Sequence, residues 1–229
     1  MYDAKFKTPI REFFRKAVLA GVLISIGAAF MLFVRADLTL NPAMRGVLSG
    51  LCFSVGLFGV MCSGAELFTG DCLMLLGVVD GVWYPYELAH RLVVAYLGNL
   101  VGALTTVAVV NACVPDFCGA ALTLATAKST LPWWIAMARG IGCNVLVCLA
   151  VWSARLACSP TGRFFSCLLP VMCFVALGFE HSVANMFILP FGSMFGQVPI
   201  AGALGNLMWV TAGNVIGGFA FAMLARDAS

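Results

Sequence analysis

Apolar residues run along this chain in blocks of membrane-spanning length, separated by short polar stretches. Six helices fit that pattern: roughly 17–35, 46–66 with a continuation at 72–79, 90–111, 132–156, 163–179 with a continuation at 186–195, and 201–225. The second and fifth are interrupted by polar blocks, Gly64-Ala65-Glu66-Leu67-Phe68-Thr69-Gly70-Asp71 and Gly178-Phe179-Glu180-His181-Ser182-Val183-Ala184-Asn185. A charged side chain at the centre of a spanning helix costs roughly 2.5–3.5 kcal/mol even on mild scales, so its presence marks a site or a pathway.

The two blocks are versions of one another, with Gly64 matching Gly178 and Glu66 matching Glu180. Further echoes pair Ala20-Gly21-Val22 with Arg139-Gly140-Ile141, and Leu97-Gly98-Asn99-Leu100 with Leu204-Gly205-Asn206-Leu207. The chain thus divides into a first repeat at about 17–111 and a second at about 132–225, within a single transmembrane domain covering 1–229. Each repeat holds an odd number of spans, so the second enters the bilayer upside down relative to the first. Interrupted spans at matching places in an inverted repeat point to a path at the repeat interface. The expected fold class is all-α, with six transmembrane helices in two inverted three-helix repeats and helices 2 and 5 broken. The spacings Gly98-xxx-Gly102 and Gly213-xxx-Gly217 would let helix backbones approach closely. With 24 glycines in the chain, chance is an equally good explanation of those pairs.

Composition narrows the class. Of the 229 residues, 62% are hydrophobic and only 10% charged, too little polar surface for a soluble domain of this length. The net charge of +3 is less informative than its sidedness. Lys5, Lys7, Arg11, Arg15, Lys16, Arg91, Arg155, Arg163 and Arg226 fall on the side of the termini, against Arg35, Arg45, Lys128 and Arg139 on the other. The positive-inside rule then puts both termini in the cytoplasm. No basic stripe lies outside the spans, which excludes nucleic acid as a partner. The apolar stretch that follows the basic start reads as a retained span, because Arg35-Ala36-Asp37 is no signal-cleavage site. Most of the ten cysteines lie inside apolar runs and read as packing residues. Cys113 and Cys118 flank a Pro-Asp turn and could bridge in an oxidising compartment, although two free thiols are the simpler expectation. With no CxxC pair and two histidines, neither a metal nor another cofactor is expected. Nucleophile-elbow and nucleotide motifs are also lacking, so the chain is not expected to be an enzyme.

Candidate chemistry gathers at the breaks. His181 follows Glu180 where unwound backbone can line a cavity, and its imidazole can hydrogen-bond an anion or hand it a proton. Thr69 offers a hydroxyl at the matching break. Asn144 and Asn214 lie inside spans 4 and 6, where they could orient the histidine or bond helix to helix. Lys128 lies in a polar run before span 4, either drawing anions to an outer mouth or simply solvated in a loop. Glu66 and Glu180 would hold their loops by pairing with backbone donors. Phe53 and Leu57 share a helix face and, with Phe68 and Phe174, could form apolar constrictions. His90, beside Arg91, reads as interfacial. Asn41-Pro42-Ala43 occurs once and reads as a turn opening span 2 rather than as a water-channel signature. Asp71 has no evident role.

Four segments carry a resemblance to the formate/nitrite transporter family of bacterial anion channels. They are Ala65-Glu66-Leu67-Phe68-Thr69-Gly70, Cys143-Asn144-Val145-Leu146-Val147-Cys148-Leu149-Ala150-Val151-Trp152, Glu180-His181-Ser182-Val183-Ala184-Asn185-Met186 and Val210-Thr211-Ala212-Gly213-Asn214. The resemblance implies a homopentamer of six-span, aquaporin-like protomers, each enclosing a pore, in the inner membrane of a bacterium. It implies that His181 is the central histidine, Thr69 its partner across the pore, and Asn144 and Asn214 the amides near it. Glu180 would be the preceding acid, Lys128 the vestibule base, and Leu57, Leu67, Phe68, Phe53, Val147 and Phe174 the constriction residues. The implied activity is passage of small monovalent weak-acid anions (formate, nitrite or hydrosulfide), with a protonated neutral form crossing beside the histidine as one route. A neutral-solute channel for water or polyols is the alternative. Asp71 departs from the family pattern by putting an acid near an anion route.

Overall fold

Polar breaks and helix-cap residues decide where each element starts and stops. The computed structural model describes residues 3–113 and 117–226, and the regular structure among them is helical throughout. A short helix α1 (Asp3–Lys7) precedes α2 (Ile10–Ala36). Then comes α3 (Pro42–Ser63), opened by Asn41, whose side chain accepts from Met44 N at 2.9 Å with Pro42 in the first turn. The expected turn at Asn41-Pro42-Ala43 is therefore a helix cap. Gly64 ends α3 at φ 65°, a left-handed conformation that favours glycine. After the break come α4 (Phe68–Asp71), a 3₁₀ turn (Cys72–Met74) and α5 (Leu75–Val79). The helix thus resumes at Phe68, ahead of the expected continuation. The long α6 (Pro85–Cys113) completes the first half.

Between the halves lies α7 (Cys118–Ser129), a helix where the sequence pattern suggested only a polar run around Lys128. The Pro115-Asp116 turn between Cys113 and Cys118 falls outside the described residues. The second half consists of α8 (Trp133–Leu156), α9 (Pro160–Ala176), α10 (Ser182–Ser193) and α11 (Ile200–Ala225). Ser159 caps α9 by accepting from Gly162 N, and Gly178 closes the break after it at φ 68°, as Gly64 does after α3.

Among the described residues, five helices (α2, α3, α6, α8 and α11) are long and apolar enough to cross a membrane by length and composition. α9 and α10 are shorter pieces of an interrupted span. α2 packs on α3 and α6, α8 packs on α9 and α11, and α3 lies against α9 to join the halves. Outward positions such as Phe33, Val93, Leu97, Leu169 and Leu204 are exposed and apolar, as a bilayer requires. By contrast α10 is buried from Ser182 through Leu189, which makes it an interior element.

The glycine spacings are contacts and not chance. A Cβ on Gly102 would collide with Val18 O, and one on Gly217 with Ile141 O, so α6 on α2 and α11 on α8 both need bare backbone. These contacts differ from two of the expected sequence echoes. Gly102 packs on residue 18 and Gly217 on residue 141, so Ala17, and not Gly21, is the counterpart of Gly140. Asn99 likewise pairs with Asn214, and not with Asn206, because these two make the same bonds to the two breaks.

Candidate functional site

The first turn of a helix leaves backbone N–H groups without partners, and at α10 a histidine supplies the missing acceptor. His181 is the N-cap residue, and its Nδ1 accepts from Ala184 N at 3.1 Å. An imidazole nitrogen that accepts carries no hydrogen, so the neutral ring holds its proton on Nε2. Nε2 lies 3.0 Å from Thr69 Oγ1, which joins the two breaks across the molecule. Donation from Nε2–H to the Thr69 oxygen leaves the Thr69 hydroxyl hydrogen able to point elsewhere. His181 is 3% exposed and Thr69 fully buried.

Apolar side chains surround this contact. Phe174 stacks on the imidazole with centroids 6.0 Å apart, and Phe53 meets it at 6.2 Å, edge to face. Leu57, Leu67 and Val147 are buried in the same apolar cluster. Phe68 belongs to that cluster too, but its ring meets Tyr96 edge-on, with centroids 5.0 Å apart.

Neither amide expected to orient the histidine has the ring as its hydrogen-bond partner; both hold the backbone beside it. Asn214 accepts from Ser182 N at 2.9 Å and donates to Gly140 O and Glu180 O, so it clamps the peptides on either side of His181. Asn144 donates to Thr69 O at 3.1 Å and to Asn214 O at 2.6 Å. Asn99, not singled out as a site residue, is the twin of Asn214. It accepts from Phe68 N at 2.9 Å and donates to Ala17 O and Glu66 O. Its signal was present in the sequence, since it lies one residue after Gly98 as Asn214 lies one after Gly213.

The charged residues also differ from expectation. Among the described residues, Glu66 and Glu180 do not pair with backbone donors through their carboxylates; each pairs with a lysine. Lys128 sits in the last turn of α7, is only 8% exposed and contacts Glu180 Oε1 at 2.8 Å, so it is no solvated loop lysine. Asn185 donates to Glu180 Oε2 at 2.7 Å and to Asn206 Oδ1 at 2.8 Å, and Asn206 donates back to Lys128 O. At the first break Lys5, brought in by α1, pairs with Glu66 and with Asp71. Asp71 therefore has a partner, and Lys5 is a site residue that the sequence pattern did not mark. It stands to Glu66 as Lys128 stands to Glu180. His90 is exposed, consistent with an interfacial position.

Two cavities adjoin these clusters. One of about 240 Å³ is lined by Arg35, Lys128, Arg139, Glu180, His181 and the Phe53 and Phe174 rings, among others. The other, of about 260 Å³, is lined by Lys5, Glu66, Arg155, Arg163 and residues around Gly64. Arg139 lies near the start of α8 and Arg155 near its end, about 24 Å apart along the helix at 1.5 Å per residue. The cavities therefore open toward opposite ends of α8. The Thr69–His181 contact and its apolar collar lie between the two breaks. Such an arrangement can draw an anion in at a basic mouth and offer it N–H and O–H donors at a dry waist.

The fold and this site define a helical membrane protein organised around two broken helices that meet at a buried imidazole. The formate/nitrite transporter family model matches residues 1–226, and the chain belongs to that family, whose members are anion channels and transporters. It is 34% identical to a probable formate transporter of Methanothermobacter thermautotrophicus over 96% of this chain and 89% of that one. It is 33% identical to the nitrite transporter NirC of Salmonella typhimurium, over 91% and 80% of the two chains. A solved structure described as a pentameric formate channel with formate bound superposes with a TM-score of 0.86 at 29% identity, covering 96% of both chains.

Proposed function

We propose that this chain forms a membrane pathway for small monovalent weak-acid anions, of which formate and nitrite fit best and hydrosulfide shares the chemistry. The observation that carries this reading is the 3.0 Å contact between Thr69 Oγ1 and His181 Nε2, set in an apolar collar with a basic cavity toward each end. Lys128 with Arg35 and Arg139 raises the local anion concentration at one mouth, and Lys5 with Arg163 does so at the other. Apolar walls make a bare charge expensive at the waist. His181 Nε2–H and the Thr69 hydroxyl replace part of the lost hydration as donors to the anion, or to its protonated, neutral form. A weak acid is more neutral at low pH, so flux rises as pH falls.

The names of two relatives, formate and nitrite transporters, support this substrate class. The pentameric formate channel, together with the exposed apolar faces of the long helices, supports assembly of five copies in a bilayer. The matched hydrogen bonds of the two halves support an inverted repeat within one channel domain. The bias of Lys and Arg supports an inner-membrane location with cytoplasmic termini.

Formate flux into proteoliposomes tests the central pair. Loss of a hydrogen bond to a charged group costs about 1.5–3 kcal/mol. His181→Ala and Thr69→Ala should therefore each slow flux roughly 10- to 100-fold. Wild-type rates in both variants would remove these residues from the mechanism.

A further inference from the structure

Asp71 takes no part in the pathway described so far, and its surroundings give it a use. Matching the halves by their hydrogen bonds puts Asp71 where Asn185 stands, each five residues beyond its glutamate. Asn185 donates an amide hydrogen to Glu180 Oε2 at 2.7 Å while Lys128 holds the other oxygen. At the first break Lys5 Nζ pairs with both Glu66 and Asp71, which gathers the two carboxyl groups around one ammonium. A carboxylate has no hydrogen to donate, so Asp71 can reproduce the Asn185 contact only when it carries a proton. Asp71 is 1% exposed, and among the described residues its Oδ2 has no hydrogen-bond partner. Two carboxylates this close in a dry setting do not both ionise cheaply.

We propose that Asp71 is a proton-binding site at the α1 mouth. Uncharged, it donates to Glu66 as Asn185 donates to Glu180, and the two mouths carry equivalent sets of bonds. When the proton leaves, it passes by way of the Glu66 carboxylate, which lines the cavity, to water, and Asp71 remains as a carboxylate. That step adds a negative charge to a mouth that an anion must enter. The Lys128 mouth has no such step, because the amides of Asn185 and Asn206 fill the matching places.

Other charges face the Asp71 site from the packed elements. On α6, Arg91 donates to Phe6 O and acts electrostatically on Glu66. α8 presents Cys148, whose thiol donates to Thr69 O, and Arg155 at the cavity wall. Cys72 adjoins Asp71 in the chain, Arg163 lines the cavity from α9, and His181 approaches from the second break through Thr69. α11 contributes no ionisable side chain. Lys5 is the cation paired with Asp71, so the site titrates with α1 in place.

The protonation does not depend on the transport reading, whereas its effect on flux does, and two measurements separate them. Infrared difference spectra of the full-length protein across a pH series should show a protonated-carboxyl C=O stretch that disappears in Asp71→Asn. In proteoliposomes holding the protein in one orientation, raising pH at the α1 face should slow formate entry there more than the same step slows entry at the other face. Asp71→Asn should abolish that difference. Should Asp71→Asn fail to fold, Asn185→Asp carries the test, because it should make the other face pH-sensitive as well. The proposal is overturned if Asp71→Asn removes no such band, if the wild-type faces respond alike, or if the asymmetry survives in Asp71→Asn. A protein that loses the band on substitution yet passes no formate would sink the transport reading and keep the proton site.

Discussion

Three asparagines do more to fix this site than the residues that line it. Asn99 and Asn214 each satisfy two backbone groups that a helix break leaves open and donate to a carbonyl of a neighbouring helix, and Asn144 ties Thr69 O to Asn214 O. Replacing either break-clamping amide with an isosteric apolar residue leaves buried peptide groups unpaired, at about 1–3 kcal/mol each. Asn214→Leu and Asn99→Leu should each lower stability by about 2–6 kcal/mol, read as a drop in the thermal midpoint of detergent-purified protein. At this scale the sequence was partly legible. A polar residue at hydrocarbon depth advertises itself, which is how Asn144, Asn214, His181 and Glu180 stood out. Its partner does not, because partners such as Gly140 O and Glu180 O are backbone atoms with no signature in the residue code. Lys5 was missed for a related reason, since its charge reads as one more basic residue before the first span until α1 carries it to Glu66.

Among the elements, the long helices and the positions of both breaks were readable from hydrophobic runs and the polar blocks. The helix α7 was not. Its residues Cys118–Ser129 are small, with apolar and polar side chains in no helical stripe, so periodicity gives nothing to detect. Two sequence echoes did not match the contacts, because isolated Gly and Gly-Asn pairs occur by chance in glycine-rich spans. Only contacts could choose between Gly21 and Ala17, or between Asn206 and Asn214. The same contacts single out which glycines matter. Gly102→Leu and Gly217→Leu push side chains into the backbone of α2 and α8, and overpacking of this kind costs about 1–3 kcal/mol or more. Both variants should lose their monodisperse peak in size-exclusion chromatography. Gly205→Ala, where a Cβ meets nothing within 4 Å, should keep it.

For the molecule as a whole, composition alone settled membrane residence, since no soluble surface can be made from so few charged residues. Stoichiometry was legible only through the family resemblance, because an exposed apolar residue reads the same whether it will face lipid or a second copy. Trp133 and Trp134 are half-exposed, and Trp133 packs on Trp209, which groups large aromatics at one edge of the α8–α11 pair. If five copies associate, native mass spectrometry of protein released from detergent should give a mass five times that of the single chain. A monomer mass alone would sink that assignment.

The ring of His181 performs two tasks with its two nitrogens, because the one turned away from Thr69 fastens the start of α10. A second proton on that ring would evict the Ala184 amide hydrogen from its seat and loosen the turn that follows. On the proposed function, handling of the permeant ion and anchoring of the scaffold share a single five-membered ring, and any chemistry that charges it must also unbuckle a helix.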